Sequence, residues 1–133
     1  MPKRILCCAL ILLMCGCALS DYNTVIKANW GFSLPRSCQY TLVNEKDSGE
    51  SFHGDGIRYH VFSYEKEDGL DDFAWEDEDY SDKVNDFLTQ INVIDEIDYS
   101  NCRSYYARQE DNSEIIILLD QDKKLIYVIE SFI

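Results

Sequence analysis

Five consecutive apolar residues, Ile115–Leu119, constrain the fold of this chain more than any other feature. A continuous apolar run of this length indicates a central β-strand that is covered on both faces. Turn-forming residues flank it at 110–113 and 120–123, and Leu125–Phe132 follows as another strand-like run. Links this short permit only antiparallel pairing, so we expect an antiparallel sheet.

The other periodic segments complete a single α+β domain. One helix is predicted after Ser81, with an apolar stripe at Val84, Phe87, Leu88, Ile91 and Ile94. Further strands are predicted over Gln39–Glu45, Ile57–Glu65 and Ser104–Gln109. The expected order is β-β-α-β-β-β, an antiparallel sheet of about five strands with one helix packed on one face.

The N-terminal residues have the pattern of a bacterial export signal. Lys3 and Arg4 precede an apolar run, Ile5–Met14, which is shorter than the roughly 20 residues that a membrane-spanning helix needs. A small residue, Gly16, then stands directly before Cys17. We therefore interpret these residues as a leader that is removed from the mature protein.

Met14–Cys17, with the sequence Met-Cys-Gly-Cys, resembles the lipobox of bacterial lipoproteins. Met14 and Cys15 depart from the residues usual in that motif. In the family, the cysteine carries fatty acyl chains such as palmitate and becomes the mature N-terminus. The resemblance implies lipidation of Cys17 and a location on the extracytoplasmic face of the cell membrane. The alternative cut, after Ser20, would release a secreted protein that starts at Asp21.

These signals divide the chain into three parts. Residues 1–16 are predicted to be the signal peptide, residues 17–29 a lipidated tether, and residues 30–133 the single α+β domain. Residues 17–29 are placed outside the domain because they are polar and have no sustained period, and at most one helical turn is expected there, at Thr24–Ala28.

The mature chain is strongly acidic. Loss of Lys3 and Arg4 leaves 10 basic residues against 25 acidic ones, so the net charge goes from −13 to about −15. Such a surface repels nucleic-acid phosphates, which argues against a nucleic-acid partner. The simpler interpretation of this charge is solubility, and the alternative is attraction to a basic protein partner or to metal cations. The 17 aromatic residues (nine Tyr, six Phe and two Trp) favour a folded domain over a disordered tail.

Two cysteines remain once the leader and the lipid site are set aside, Cys38 and Cys102. Each stands just before a predicted strand, and neighbouring strand starts would bring the two together. In an oxidising compartment we expect them to form a disulfide, with two free buried thiols as the alternative.

The candidate binding surface lies in the segment Glu65–Asp82, here called the acidic loop. Ten of its eighteen residues are acidic and one is basic. Its contact region is predicted at Asp71–Asp79, where Phe73 and Trp75 supply apolar anchors and the acids steer a basic partner. The acids of this region assigned to binding are Glu76, Asp77, Glu78 and Asp79.

A glycine-supported turn at Phe52–Gly56 carries the remaining candidate binding residues, His53 and Asp55. The simpler interpretation is a tight turn whose aspartate bonds its own backbone. Nucleophile motifs and metal-ligand spacings are missing from the sequence, so we expect no catalytic residues, no cofactor and no metal site. A hydrolase would instead need a pocket that gathers His53 and Asp55.

Two short motifs resemble small uncharacterised exported proteins of Gram-positive bacteria. Trp30–Pro35 has the form W-G-x-x-x-P, and Phe52–Tyr59 has an F-H-G-D-G turn followed by an aromatic strand. The resemblance implies a location in the bacterial cell envelope and carries no implication about activity.

The sequence therefore favours a membrane-anchored extracytoplasmic lipoprotein domain. It is expected to be non-catalytic and to bind a protein or another ligand. The alternative is a secreted inhibitor or immunity-type protein that blocks a basic partner.

Overall fold

The structure, a computed structural model, describes residues 22–49 and 55–133. Residues 22–30 are helical (α1), and the second helix (α2) covers Ser81–Gln90, with 3-10 turns at Arg36–Cys38 and Tyr99–Asn101. The strands are β1 (Tyr40–Asp47), β2 (Gly56–Tyr64), β3 (Cys102–Arg108), β4 (Glu114–Asp120) and β5 (Leu125–Phe132). The predicted α+β class with five antiparallel strands is confirmed. The predicted element order is wrong, because α1 precedes β1.

The five strands form one antiparallel sheet in the order β1-β2-β5-β4-β3. Strands β3, β4 and β5 are a meander with short links, and β2 pairs with the free side of β5. This order puts β4 and β5 inside the sheet, where Ile115–Asp120 and Ile126–Glu130 are buried throughout. The apolar run that predicted a central strand is thus explained by cover on both faces.

Alternation along the strands sends apolar side chains to two separate clusters. On β4, Ile115, Ile117 and Leu119 join a cluster that includes Ile26 of α1. Ile116 and Leu118 join the other cluster, to which α2 contributes Val84 and Leu88, and the residue after the helix, Ile91, also belongs to it. The two helices therefore contribute to opposite faces of the sheet.

Helix α1 moves the boundary of the folded part towards the N-terminus. Residues 22–29 were assigned to the tether by the sequence, yet Ile26 is 1% exposed and Asn23 is 7% exposed. The side-chain amide of Asn23 donates to the backbone oxygen of Leu34 and accepts from its backbone N–H, at 2.8 Å each. The domain thus includes at least residues 22–29.

Helix α2 ends before the last residue of its predicted stripe. The helix stops at Gln90, and Asn92 has a φ of 57°, so the chain leaves the helical path there. Ile91 is still buried at 3% exposure, but Ile94 is 93% exposed and does not belong to the core.

Neither helix in the described ranges has the length and apolar character that a membrane-spanning helix needs.

The predicted disulfide between Cys38 and Cys102 is not formed, and both thiols are free. Cys38 lies just before β1 and Cys102 begins β3, which are the two opposite edges of the sheet. Four strand spacings of about 4.8 Å separate these edges by roughly 19 Å, whereas a disulfide requires Cα atoms within about 7 Å. The strand starts were expected to be neighbours, and the strand order separates them.

Candidate functional site: an acidic cleft

The acidic loop is fastened to the sheet at β3. Glu76 forms an antiparallel bridge with Ser104, in which the Glu76 N–H donates to the Ser104 oxygen at 2.6 Å and the Ser104 N–H donates back at 3.1 Å. The buried Ser104 hydroxyl also lies 2.9 Å from the backbone oxygen of Glu78. These contacts fix the path of the next residues, Asp77–Tyr80, along the edge of the sheet.

A cleft of about 390 Å³ opens between this part of the loop and the 3-10 turn at Tyr99–Asn101. Its described lining consists of Asp77, Glu78, Asp79, Tyr80, Tyr99, Ser100, Cys102, Ser104 and Leu118. The floor is formed by paired positions of the sheet, since Ser104 and Leu118 face each other across β3 and β4. We call this feature the acidic cleft.

Two tyrosines give the cleft aromatic walls. Tyr80 stacks on Tyr106 with ring centroids 5.0 Å apart and donates its hydroxyl to Glu76 Oε2 at 3.0 Å. The Tyr99 hydroxyl donates to Asn85 Oδ1 at 2.7 Å. Burial raises the pKa of both Tyr80 and Tyr99 to about 12, so the rings are neutral at pH 7. Neutral aromatic rings of this kind attract cations.

Three consecutive carboxylates supply the charge of the cleft. Asp77, Glu78 and Asp79 are all exposed, and hydrogen bonds from Ser81 hold the pKa of Asp79 below its usual value. Lysine, arginine and histidine are missing from the described lining. An opening with carboxylates, aromatic walls and no opposing cation attracts a positively charged ligand.

The one thiol in the cleft is not an activated nucleophile. Burial raises the pKa of Cys102 to about 12, with a further contribution from the nearby carboxylates of Asp120 and Asp98. The thiol therefore stays protonated at neutral pH, and a protonated thiol attacks poorly. Within 22–49 and 55–133, His, Cys, Asp and Glu side chains do not gather in groups of three or more that would hold a metal ion.

The structure divides the predicted binding residues of the acidic loop into two groups. Asp77, Glu78 and Asp79 line the cleft, with Glu76 holding its wall through Tyr80. Phe73 and Trp75 instead turn to the α1 side of the sheet and pack against its cluster. Both side chains are half-buried there and contribute to the core packing.

The contacts of Phe73 and Trp75 show how the loop is held. The Phe73 ring lies 4.9 Å from Trp75 and 5.1 Å from Tyr105, measured between ring centroids. The Trp75 indole N–H donates to the backbone oxygen of Leu70 at 2.6 Å, and Leu70 itself is fully buried.

Asp55, of the other predicted pair, is not part of the acidic cleft. Asp55 is exposed and precedes β2 at the end of the sheet where Gly56 pairs with Phe132. Cys102, in the cleft, belongs to the other end of the sheet, three strands away. His53 lies outside the described residues. The structure thus separates Asp55 from Asp77–Asp79.

Sequence reasoning missed the tyrosines and the floor of the cleft. Tyr80 stands next to the predicted helix, and Tyr99 lies in a polar segment, Asp98–Asn101, with no apolar period. The bridge from Glu76 to Ser104 joins residues 28 positions apart, so no local pattern announces it. The only usable signal was the density of aromatic residues on both sides of the acids.

A second cluster of titratable side chains lies on the opposite face of the sheet, beneath α1. Glu130 of β5 is fully buried and accepts hydrogen bonds from the Tyr22 hydroxyl and from the Trp30 indole, the latter at 2.8 Å. The His60 ring is 4.0 Å from the Tyr22 ring, and its Nε2 is 3.5 Å from Glu45 Oε2. These five side chains are the Glu130 cluster, and they join α1 to the sheet.

The His60 side chain makes the stability of the domain depend on pH. Burial lowers its pKa below the ordinary value of 6.5, outweighing the opposite influence of the Glu130, Glu45 and Asp47 carboxylates, and Arg58 adds to the lowering. The unfolded chain therefore binds the proton more readily than the folded one. The contribution of His60 to the free energy of unfolding is therefore fully present above about pH 6.5 and is lost as the pH falls below that value.

We expect the variant His60→Phe to lose less stability than the wild type between about pH 7.5 and pH 5.5. Urea unfolding at both pH values measures this difference. His53 is present in both proteins, so its titration cancels. An equal loss of stability in the two proteins would show that His60 is not held in its neutral form.

No protein-family model, no curated protein and no solved structure matches this chain. The fold and the cleft alone define it as an α+β protein with a five-stranded antiparallel sheet and an acidic, tyrosine-walled cleft at one edge.

Proposed function

We propose that this protein is a non-catalytic binding domain, anchored through Cys17 to the extracytoplasmic face of the cell membrane, and that it binds a basic segment of a partner protein. The observation that supports binding is the acidic cleft, where Asp77–Asp79 line the same opening as Tyr80 and Tyr99, without a cation in the described lining. A lysine or arginine side chain satisfies both the carboxylates and the aromatic walls.

The position of α1 relates the proposed lipid anchor to the proposed binding role. If Cys17 carries the lipid, only the residues between it and Tyr22 link the membrane to the described helix, a reach of about 17 Å when extended. The domain then stays close to the membrane surface. An extracytoplasmic domain in this position meets partners at or near that surface.

Photo-cross-linking in the native host tests the binding proposal. A photoreactive phenylalanine analogue replaces Tyr99, and irradiation joins it to whatever occupies the cleft. We expect a protein adduct whose yield falls with rising salt, because exposed charges are screened. Neutralising Asp77, Glu78 and Asp79 with Asn, Gln and Asn should lower the apparent affinity about tenfold.

A matched variant controls for the overall change in charge. Glu65→Gln, Glu67→Gln and Asp72→Asn remove the same three charges from exposed positions of the acidic loop that do not line the cleft. The apparent affinity of this variant, measured by cross-linking, should lie within about twofold of the wild-type value. Equal yields from the cleft variant and the control variant would refute the assignment of the cleft.

A further inference from the structure

Among the described residues, strand β1 is an outer edge strand of the sheet. It pairs with β2 on one side, and no described residue pairs with its other side. Seven of its eight residues are exposed. The opposite edge, β3, is paired at Ser104 by the bridge from Glu76. An uncovered edge presents backbone N–H and C=O groups that can pair with another extended chain.

A bulge limits the part of β1 that is suited to pairing. The register with β2 shifts between Leu42 and Asn44, which leaves Val43 as the extra residue. Bulges of this kind obstruct indiscriminate pairing at sheet edges. Beyond the bulge, Asn44–Asp47 keeps a regular register with β2, so this segment is the usable edge.

The usable edge carries negative charge on one face. Glu45 is paired with His60 and Asp47 with Arg58, so the two carboxylates point to the same side of the sheet at alternate positions. The Glu45 side chain is 62% exposed. An incoming strand would place its own alternate side chains directly opposite them, where opposite charges stabilise a strand pair.

Apolar side chains lie beside the same edge. Val43 is 58% exposed and Leu42 is 41% exposed. Asn44 donates its side-chain amide to Asp95 Oδ2 at 3.1 Å, which brings the loop that carries the exposed Ile94 next to β1. Three of the four large apolar residues that are exposed in the described ranges thus belong to β1 or to the loop beside it.

We propose that the outer edge of β1 binds an extended segment of a partner protein as a sixth strand, and that this segment carries lysine or arginine at alternate positions. Charge selects this occupant. A second copy of the chain is disfavoured because each copy has a net charge of −13 before any loss of Lys3 and Arg4. This binding site on β1 is separate from the acidic cleft, because the cleft lies at β3, on the opposite edge of the sheet.

Amide hydrogen exchange of the full chain tests this proposal with a defined probe. The probe is a short synthetic peptide in which lysine alternates with valine and threonine, and its control has the same composition with the lysines in one block. We expect the alternating peptide to slow exchange in Tyr40–Asp47, and to the same extent in the variant that is neutralised at Asp77, Glu78 and Asp79. The block peptide should give little protection, since its charges do not match the alternation of the strand.

Two pairs of charge variants sharpen the test. The double variant Glu45→Gln with Asp47→Asn should bind the alternating peptide roughly fivefold more weakly than the wild type does. Asp72→Asn with Glu110→Gln removes the same charge at exposed positions elsewhere and should change its binding less than twofold.

Three results would overturn the proposal: no added protection in β1, equal protection by both peptides, or dimerisation of the chain through β1. Neutralising Asp77–Asp79 should leave peptide binding at β1 intact. The experiments can therefore refute binding at β1 without refuting binding in the acidic cleft, and the reverse.

Discussion

Replacing Glu130 by alanine is expected to lower the free energy of unfolding by about 3 kcal/mol. Glu130 is fully buried, and its two oxygens accept from Tyr22 and Trp30, residues at the two ends of the described part of α1. Alanine leaves both donors without an acceptor and removes the buried methylene groups of the side chain. Urea unfolding measures the loss.

Two further variants separate the hydrogen bonds from general effects of substitution. Glu130→Gln keeps the shape but turns one acceptor into a donor, so we expect a loss of roughly 1–2 kcal/mol. Glu110→Ala, in the exposed turn after β3, should change the free energy of unfolding by less than about 0.5 kcal/mol.

A double-mutant cycle between Trp30→Phe and Glu130→Gln measures the contact itself. Residues that share a hydrogen bond give non-additive effects on stability. If Glu130→Ala were as stable as the wild type, or if the two effects simply added, α1 would not be held by the Glu130 cluster.

Replacing Leu70 by alanine is expected to destabilise the domain by about 3 kcal/mol, although the residue lies in the most acidic segment of the chain. Leu70 is fully buried in the cluster on the α1 side, and its backbone oxygen accepts from Trp75. Alanine keeps that oxygen but leaves a cavity under the loop. The midpoint of urea unfolding measures the loss.

Ile94→Ala is the matched control, because Ile94 is also an aliphatic loop residue but is 93% exposed. It should change the free energy of unfolding by less than about 0.5 kcal/mol. A Leu70→Ala variant that unfolds together with the wild type would show that the acidic loop is not part of the core. The loop could then not hold Asp77–Asp79 in place at the cleft.

The sheet was predictable because its signals are local. The apolar run Ile115–Leu119 and the short links on either side determine a central antiparallel strand from adjacent residues alone. The stripe of α2 likewise identified Val84 and Leu88 as buried.

The sequence indicated at most one turn of helix α1, at Thr24–Ala28, because the apolar positions of this helix are sparse. Tyr22, Ile26 and Trp30 recur at every fourth residue, but polar residues such as Asn23 and Lys27 fill much of the space between them. Asn23 and Trp30 are held by hydrogen bonds to Leu34 and Glu130, and partners this distant leave no periodic signal. Helix α1 is therefore stabilised by tertiary contacts, which the local sequence pattern does not predict.

The order of strands explains the other differences. Cys38 and Cys102 both precede predicted strands, and sequence alone does not tell that β1 and β3 are opposite edges. The acidic cleft depends in the same way on the pairing of Glu76 with Ser104. Composition placed the charge in the acidic loop, whereas the direction of Phe73 and Trp75 is decided by packing.

Intact mass spectrometry of the protein from the membrane fraction of its native host tests the central proposal most directly. We expect the mass of residues 17–133 plus acyl chains on Cys17, with Cys38 and Cys102 both alkylated in denaturant without a reductant. Recovery of the full 133-residue polypeptide, with its leader intact and dissolved in the cytosol, would contradict the proposed anchored domain.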